Sequence, residues 1–261
     1  MSSWVHEITI NFFSRHFRRL FDQAFSQTRR DRIQIFTGLQ MDGFAEEYQY
    51  SEKVPDIGIF LRNDDDAQGE HDTPNELKWA LEVGFSEEYD DLREDLQLWL
   101  IGQPTCSMAV LINITESPTY RCPLDFDLVL CDQLNIPQNP SQITETDFTR
   151  QGEYGPVTFK GHQWVGQISE VFLEIWTRNP RTGLVRRRGH RMSILPADSV
   201  SPQFQLADFL FIDNPQMTSF DWDVFRTELK RCLRSQAAAR CRQWLLQSRK
   251  RAGYEPHRPL R

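Results

Sequence analysis

Two carboxylates in the stretch Pro55–Leu100 have the neighbours that metal chemistry asks for. Asp56 directly follows Pro55 in PDIGIF, and Glu82 sits inside LKWALEVGF. Each is followed two residues later by a glycine, Gly58 and Gly84, which predicts room beside the acid for an ion or a nucleic-acid backbone. A hard cation such as Mg²⁺, or Mn²⁺ in its place, takes carboxylate and carbonyl oxygens and keeps several waters. Asp56, Glu82 and the backbone carbonyl of Val83 would supply that shell. Phosphodiester cleavage needs such a cation, to polarise the phosphate and to lower the pKa of a bound water. Without a cation, Glu82 is a surface residue on a half-exposed strand and Asp56 a turn former after Pro55. No Walker loop, GxGxxG, HExxH or GxSxG competes with this site.

The elements that must position the pair follow from periodicity. Leu77, Trp79, Leu81, Val83 and Phe85 alternate with Lys78, Ala80, Glu82, Gly84 and Ser86, a strand with its large apolar residues on one face and Glu82 on the other. Ile57, Ile59 and Leu61 share a face in the preceding strand, so Asp56 points away with Val54, Gly58 and Phe60. If both apolar faces meet one core, the two acids project together from the far face. Ser86 is placed to cap a following helix, with Glu87, Glu88, Asp90 and Asp91 at its positive end. Tyr89, Leu92, Leu96 and Leu100 give that helix one apolar face. Cys106–Ile114, CSMAVLINI, suits a strand buried on both sides.

A proline-aspartate opening one strand, an acid on the next, then a helix and a strand, resembles the core of the PD-(D/E)XK nuclease superfamily. Pro55, Asp56 and Glu82 carry the likeness, which extends over roughly the first half of the chain and is similar to fungal proteins with this core. The resemblance implies that Asp56 and Glu82 bind Mg²⁺ and that a lysine two residues beyond the second acid helps activate water. That position is Gly84, a departure from the pattern. Lys78 shares the face of Glu82 but lies ~13 Å away at the rise of a strand. Arg93 and Gln97 on the next helix are the alternative sources of a polar group.

The rest of the chain fits around this core. Trp4–Phe25 reads as an opening helix with a Phe-rich stripe, and Glu7 on it is placed where some members of the family carry a further metal ligand. Asp31–Gln40 alternates as a first strand, which would make a three-strand meander with the strands at Val54 and Leu77. Asn63–Pro74 is a polar loop holding Asp64, Asp65, Asp66 and His71. Phe126–Cys131 is a short strand candidate and Pro137–Gly155 a loop or soft boundary. Val157–Trp164 and Gln167–Arg178 are extended. NPRTG turns the latter into a hairpin whose second strand, Leu184–Leu195, carries Arg186, Arg187, Arg188 and Arg191. Asp221–Ser248 is the longest helical pattern, acidic at its start and basic at its end. The tail from Ala252 is expected to fray.

At 261 residues and 39% hydrophobic, the chain is long enough for a substantial core. No stretch approaches the ~20 apolar residues of a membrane helix, and the first residues lack the pattern of a signal peptide. Five cysteines without a CxxC read as reduced thiols in an intracellular protein, nuclear or cytoplasmic. The net charge of −7 is unevenly placed, acidic over Asp42–Asp95 and basic over Arg178–Arg191 and Arg226–Arg261. That asymmetry marks a polyanion partner or a solvated surface.

The expected fold is therefore α/β: a restriction-endonuclease-like core over residues 1–118, a β-rich extension over 119–219, a basic C-terminal helix over 220–251 and a tail, all as one compact unit. The expected function is Mg²⁺-dependent hydrolysis of phosphodiester bonds in DNA. The nucleic-acid contacts are expected at Arg186, Arg187 and Arg188 or at Arg226, Lys230 and Arg234 on the last helix. The alternative is a degenerate nuclease fold that binds nucleic acid or protein without cleaving.

Overall fold

The computed structural model describes residues 3–62, 76–179, 181–197, 201–205 and 217–254. The acidic run Asp64–Asp66 and His71 lie outside the described residues. The fold is α/β with a mixed sheet and a long C-terminal helix.

The chain opens with helix α1 (Trp4–Ala24), a four-residue helix α2 (Gln27–Arg30) and strands β1 (Ile33–Phe36), β2 (Ile57–Leu61) and β3 (Glu76–Phe85). β1 pairs antiparallel with β2, and β2 antiparallel with β3. Helix α3 (Tyr89–Gln97) then crosses to β4 (Met108–Ser117), which lies parallel to β3 with Glu82 opposite Leu111. Helix, three-strand meander, helix and strand follow one another in the expected order. Beyond β4 the same sheet takes β8 (Gln167–Arg178), which pairs with both β9 (Val185–Arg187) and β10 (Met192–Leu195). The predicted second hairpin strand is thus two shorter pieces. Asn179 shapes the hairpin turn, its Oδ1 accepting the amides of Arg181 and Thr182, and Gly183 takes a left-handed φ of 71° that suits glycine.

Two compact units divide the chain. One holds residues 1–8, 115–169 and 226–261, the other 9–114 and 170–225, so the divisions fall within α1, β4, β8 and the last helix, α5 (Trp222–Arg251).

The unit of residues 9–114 and 170–225 carries the sheet's centre with apolar layers on both faces. On one face Phe17 of α1 packs edge-on against Trp79 at 4.6 Å between ring centroids, and Phe12 and Phe13 meet Phe220 and Trp222. On the other, Leu92, Leu96, Trp99 and Leu100 cover Phe60, Leu77, Ala80, Ala109 and Leu111. Leu77 lies with Ala80, not with Trp79 as strict alternation predicts. The pairing of β2 with β3 slips between Ile59 opposite Trp79 and Phe60 opposite Leu77. That bulge reverses the faces below it.

The unit of residues 1–8, 115–169 and 226–261 contains α4 (Val129–Leu134), β5 (Thr149–Arg150), β6 (Val157–Phe159), β7 (His162–Val165) and most of α5. The strand expected at Phe126–Cys131 is instead the lead into a helix. Asp127 Oδ1 accepts the Val129 amide, and Asn135 ends α4 in the left-handed region. In α5 Leu233, Ala237, Ala238, Cys241, Trp244 and Leu245 are buried. Glu116 is fully buried, and both its oxygens accept from Arg240, at 2.7 and 2.8 Å. The Gly166 amide adds a third bond to Glu116, and Arg240 also donates to the Trp164 carbonyl and stacks on Tyr120. All five cysteines are free thiols. Burial pushes those of Cys106, Cys232 and Cys241 up to about 12.

Candidate metal site on β2 and β3

Adjacent antiparallel strands bring the two acids together. Ile57 stands opposite Leu81, so Asp56, one residue before β2, reaches the level of Glu82. The pairing of β2 with β3 ends there, and among the described residues no further strand pairs with that stretch of the β3 edge. Asp56 closes it: its Oδ2 accepts the Val83 amide at 2.7 Å. The amide and carbonyl of one strand residue point the same way, so the Val83 carbonyl belongs to the same edge. Asp56 is half-buried.

Glu82 is not the half-exposed residue that the sequence suggests. It is only 5% exposed, because α3 and the helical turn after it cover its face of the sheet. Its Oε1 accepts the indole N–H of Trp99 at 2.5 Å. Burial holds the Glu82 carboxyl well above the usual carboxylate range, and the charge of Asp56 adds to the rise. The Trp99 bond and the Lys53 charge pull the other way without cancelling it.

A carboxyl whose folded-state pKa is raised favours the fold while protonated and opposes it once ionised. Its contribution is fully present below the ordinary value of 4.5 and is lost as pH rises through the folded-state value. Glu82→Gln keeps an acceptor for Trp99 and removes the charge. The variant is expected to match the wild type below pH 4.5 and to be more stable at pH 8 by about 1–3 kcal/mol. Urea unfolding at the two pH values checks this. A Glu82→Gln protein that is less stable at pH 8 means that the buried charge is compensated.

The glycines beside the acids serve packing. A Cβ on Gly58 would stand 2.5 Å from Phe60 Cε2. One on Gly84 would stand 2.2 Å from Leu92 Cδ1 and 3.1 Å from two further Leu92 atoms. Leu92 is buried, so Gly84 is where α3 sits down on β3. The position that would hold the family's lysine is filled by a leucine from the next element. Gly84→Lys is therefore expected to destabilise the fold by about 1–3 kcal/mol, the usual range for overpacking. Equal urea midpoints for wild type and variant would mean that α3 stands clear of β3.

Lys53 is the residue that sequence reasoning missed. It lies three positions before Asp56, where an isolated bridge to Met41 holds its backbone. Its ammonium is 2.6 Å from Asp95 Oδ1 on α3. Burial lowers the Lys53 pKa, but the Asp95 bond and the fields of Glu82, Asp95 and Asp56 outweigh it, so the net shift is upward. The motif pattern looks for a lysine after the second acid, and no spacing rule points backwards from Pro55. Arg93, one of the alternatives considered, lies over the rings of Tyr89 and Trp176 and pairs with Asp90.

Two carboxylates and one carbonyl are the kind of oxygen set that Mg²⁺ accepts when it keeps its waters and a phosphate. The oxygens that such an ion would use here are those of Asp56, Glu82 and the Val83 carbonyl. Among the described residues no three His, Cys, Asp or Glu side chains gather as a metal-binding group. The Val83 carbonyl and the solvent would therefore have to complete the shell. Glu7, the further acid considered on α1, is exposed.

The basic residues are placed differently from one another. Arg187 and Arg191 both donate to the fully buried Glu174, at 2.9 and 3.0 Å, and Arg191 also lies over the Phe172 ring. Burial raises the Glu174 pKa, and bonds from Tyr89, Arg191, Trp176 and Arg187 more than reverse it. Lys230 pairs with Glu153 at 2.7 Å. Arg186 and Arg234 are exposed, whereas Arg188 and Arg226 are half-buried. Arg186–Arg188 belong to one unit and Arg226, Lys230 and Arg234 to the other. No helix among the described residues is long and apolar enough to cross a membrane. No protein-family model matches the chain, and neither a curated protein nor a solved structure matches it.

Proposed function

We propose that the chain carries a restriction-endonuclease-like core and hydrolyses phosphodiester bonds in DNA with Mg²⁺ at Asp56, Glu82 and the Val83 carbonyl. The observation that carries this reading is the Asp56–Val83 bond: an acid at the start of β2 reaches across to the β3 edge beside a second, buried acid. The run from β3 through α3 to a parallel β4 is the setting the family resemblance asks for.

In this reading the chain's own residues orient and hold. The Val83 amide fixes the rotamer of Asp56, and Trp99 fixes that of Glu82. A bound divalent cation polarises the phosphate and lowers the pKa of a coordinated water. The exposed Arg186 and Arg234 lead the basic residues that neutralise DNA phosphates, so binding weakens steeply with salt.

A second reading is favoured by the Leu92 contact at Gly84. With a leucine in place of the family's lysine, the core binds nucleic acid or protein without cutting. Thermal unfolding tests the metal half, on which the catalytic reading depends and the second does not. Mg²⁺ or Mn²⁺ is expected to raise the Tm by mass action, adding about 2.7 kcal/mol at one hundred times Kd. Asp56→Asn is expected to abolish the rise. A Tm indifferent to both metals would remove the catalytic reading and leave the second.

A further inference from the structure

We propose that Arg93, Arg187 and Arg191 bind a phosphomonoester, presented as the phosphorylated side chain of an extended peptide that pairs with the outer edge of β9. The proposal is independent of the metal site and holds whether or not Asp56 and Glu82 take an ion.

The charge count points to the phosphate. The Glu174 side chain on β8 has no solvent exposure. Its Oε1 accepts from Arg187 Nη1 at 2.9 Å and from Arg191 Nε at 3.0 Å. Its Oε2 accepts from the Tyr89 hydroxyl at 2.8 Å and the Trp176 indole at 3.0 Å. One guanidinium would neutralise that carboxylate, and a third stands beside the two it has. Arg191 lies 3.6 Å from the centroid of the Phe172 ring and 5.1 Å from that of Tyr89. Arg93, from α3, lies 5.8 Å from the same Tyr89 ring and 5.7 Å from that of Trp176. Its ion partner Asp90 is 85% exposed, a surface contact that cancels little of its charge. Three guanidiniums against one carboxylate leave two positive charges over. The side chains of Arg93, Arg187 and Arg191 are 39, 40 and 38% exposed, so N–H groups that Glu174 does not use reach the solvent. Ring stacking and the Glu174 bonds already hold the guanidiniums, so little order is lost when an anion binds. A phosphomonoester brings about −1.5 to −2 charges at pH 7 and three acceptor oxygens. A carboxylate or a phosphodiester brings a single charge.

The strand edge points to what carries the phosphate. β9 pairs with β8, and among the described residues no strand lies on its other side. The Leu184 carbonyl accepts from the Asn179 amide, and the Arg188 amide donates to the Ile175 carbonyl. By alternation Leu184, Arg186 and Arg188 turn their backbone groups toward β8, and Val185 and Arg187 turn theirs outward. An extended peptide can pair with those outward groups and bring a side chain beside that of Arg187. A sugar-phosphate backbone has no N–H groups to give to them.

The test is fluorescence polarisation of the full-length protein with labelled degenerate peptide pools. Each pool has a fixed central phosphoserine, phosphothreonine or phosphotyrosine and is run beside its unphosphorylated counterpart. At least one phosphorylated pool is expected to bind about tenfold more tightly than its counterpart. Arg93→Gln, which leaves the Glu174 bonds alone, is expected to lose most of that preference with an unchanged urea midpoint. Arg187→Lys keeps a charge on Glu174 without the guanidinium fork and is expected to lose part of it. A purely structural role for these arginines would lower stability and leave binding indifferent to phosphate. Pools bound equally with and without phosphate, or an Arg93→Gln protein that keeps the full preference, would overturn the proposal. A 5′-phosphorylated oligonucleotide that displaces the peptide better than the same strand without its phosphate, and at lower concentration than the peptide itself, would overturn the peptide as the carrier. Inorganic phosphate that displaces the peptide at equal concentration would overturn it too.

Discussion

Replacing Arg240 by methionine is expected to cost about 3–5 kcal/mol, the range for removing one partner of a buried ion pair. The cost comes from what stays behind. The Glu116 side chain has no solvent exposure and would keep the Gly166 amide while losing both guanidinium bonds. The Trp164 carbonyl would lose its Arg240 donor, and Tyr120 the guanidinium on its ring. Glu116→Gln together with Arg240→Met should recover part of the loss, because no charge remains and glutamine still accepts from Gly166. For a chain of this size the single variant should melt about 6–15 °C lower. Urea unfolding of the wild type, the single and the double variant checks the order. A single variant within about 1 kcal/mol of the wild type would mean that water reaches Glu116.

The centre of the fold was legible because its residues follow simple periods. The alternation from Trp79 to Phe85 gives β3, the spacing of Leu92, Leu96 and Leu100 gives the apolar face of α3 and the turn after it, and CSMAVLINI gives the doubly buried β4. The adjacency of β2 and β3 follows from two apolar faces needing one core. What escaped prediction depends on contacts between distant positions. The bulge that puts Leu77 with Ala80 is a matter of pairing, and no residue type announces it. Ser86, read as a helix cap, instead takes a left-handed φ of 60° and gives its amide to Ile114; α3 starts at Tyr89. Gly58 and Gly84 looked like space for a ligand, but a missing side chain reserves space for whichever neighbour packs there, here Phe60 and Leu92.

The candidate site was half legible for the same reason. Asp56 and Glu82 sit on a recognisable pattern. Their environment comes from elsewhere: Trp99 from the turn after α3, Lys53 from a bridge before β2, and Asp95 from α3. The burial of Glu82 could have been anticipated in part. Ala80, Glu82 and Gly84 on one face leave that face short of bulk, and the apolar side of α3 had to rest on something. The arginines were the least legible. Arg187 reads as a nucleic-acid contact and Arg191 as part of the same basic run, yet both serve Glu174, an acid on the preceding strand whose burial nothing in its immediate sequence foretells.

DNA cleavage by the wild type and by Asp56→Asn, in parallel, tests the central proposal most directly. Asp56 holds the Val83 amide through one oxygen, and asparagine can keep that bond while withdrawing the charge from the cation. The substitution should leave the fold intact, because the side chain is half-buried and outside the apolar layers. With Mg²⁺ or Mn²⁺ present, the wild type is expected to convert supercoiled plasmid to nicked and linear forms. Asp56→Asn is expected to be slower by a factor of roughly 10³, about 4 kcal/mol of transition-state stabilisation. Chelation of the metal should stop the wild type as completely. Cleavage that is unchanged in Asp56→Asn, or a wild type that leaves plasmid intact at every concentration of both metals, would contradict a catalytic Asp56–Glu82 site.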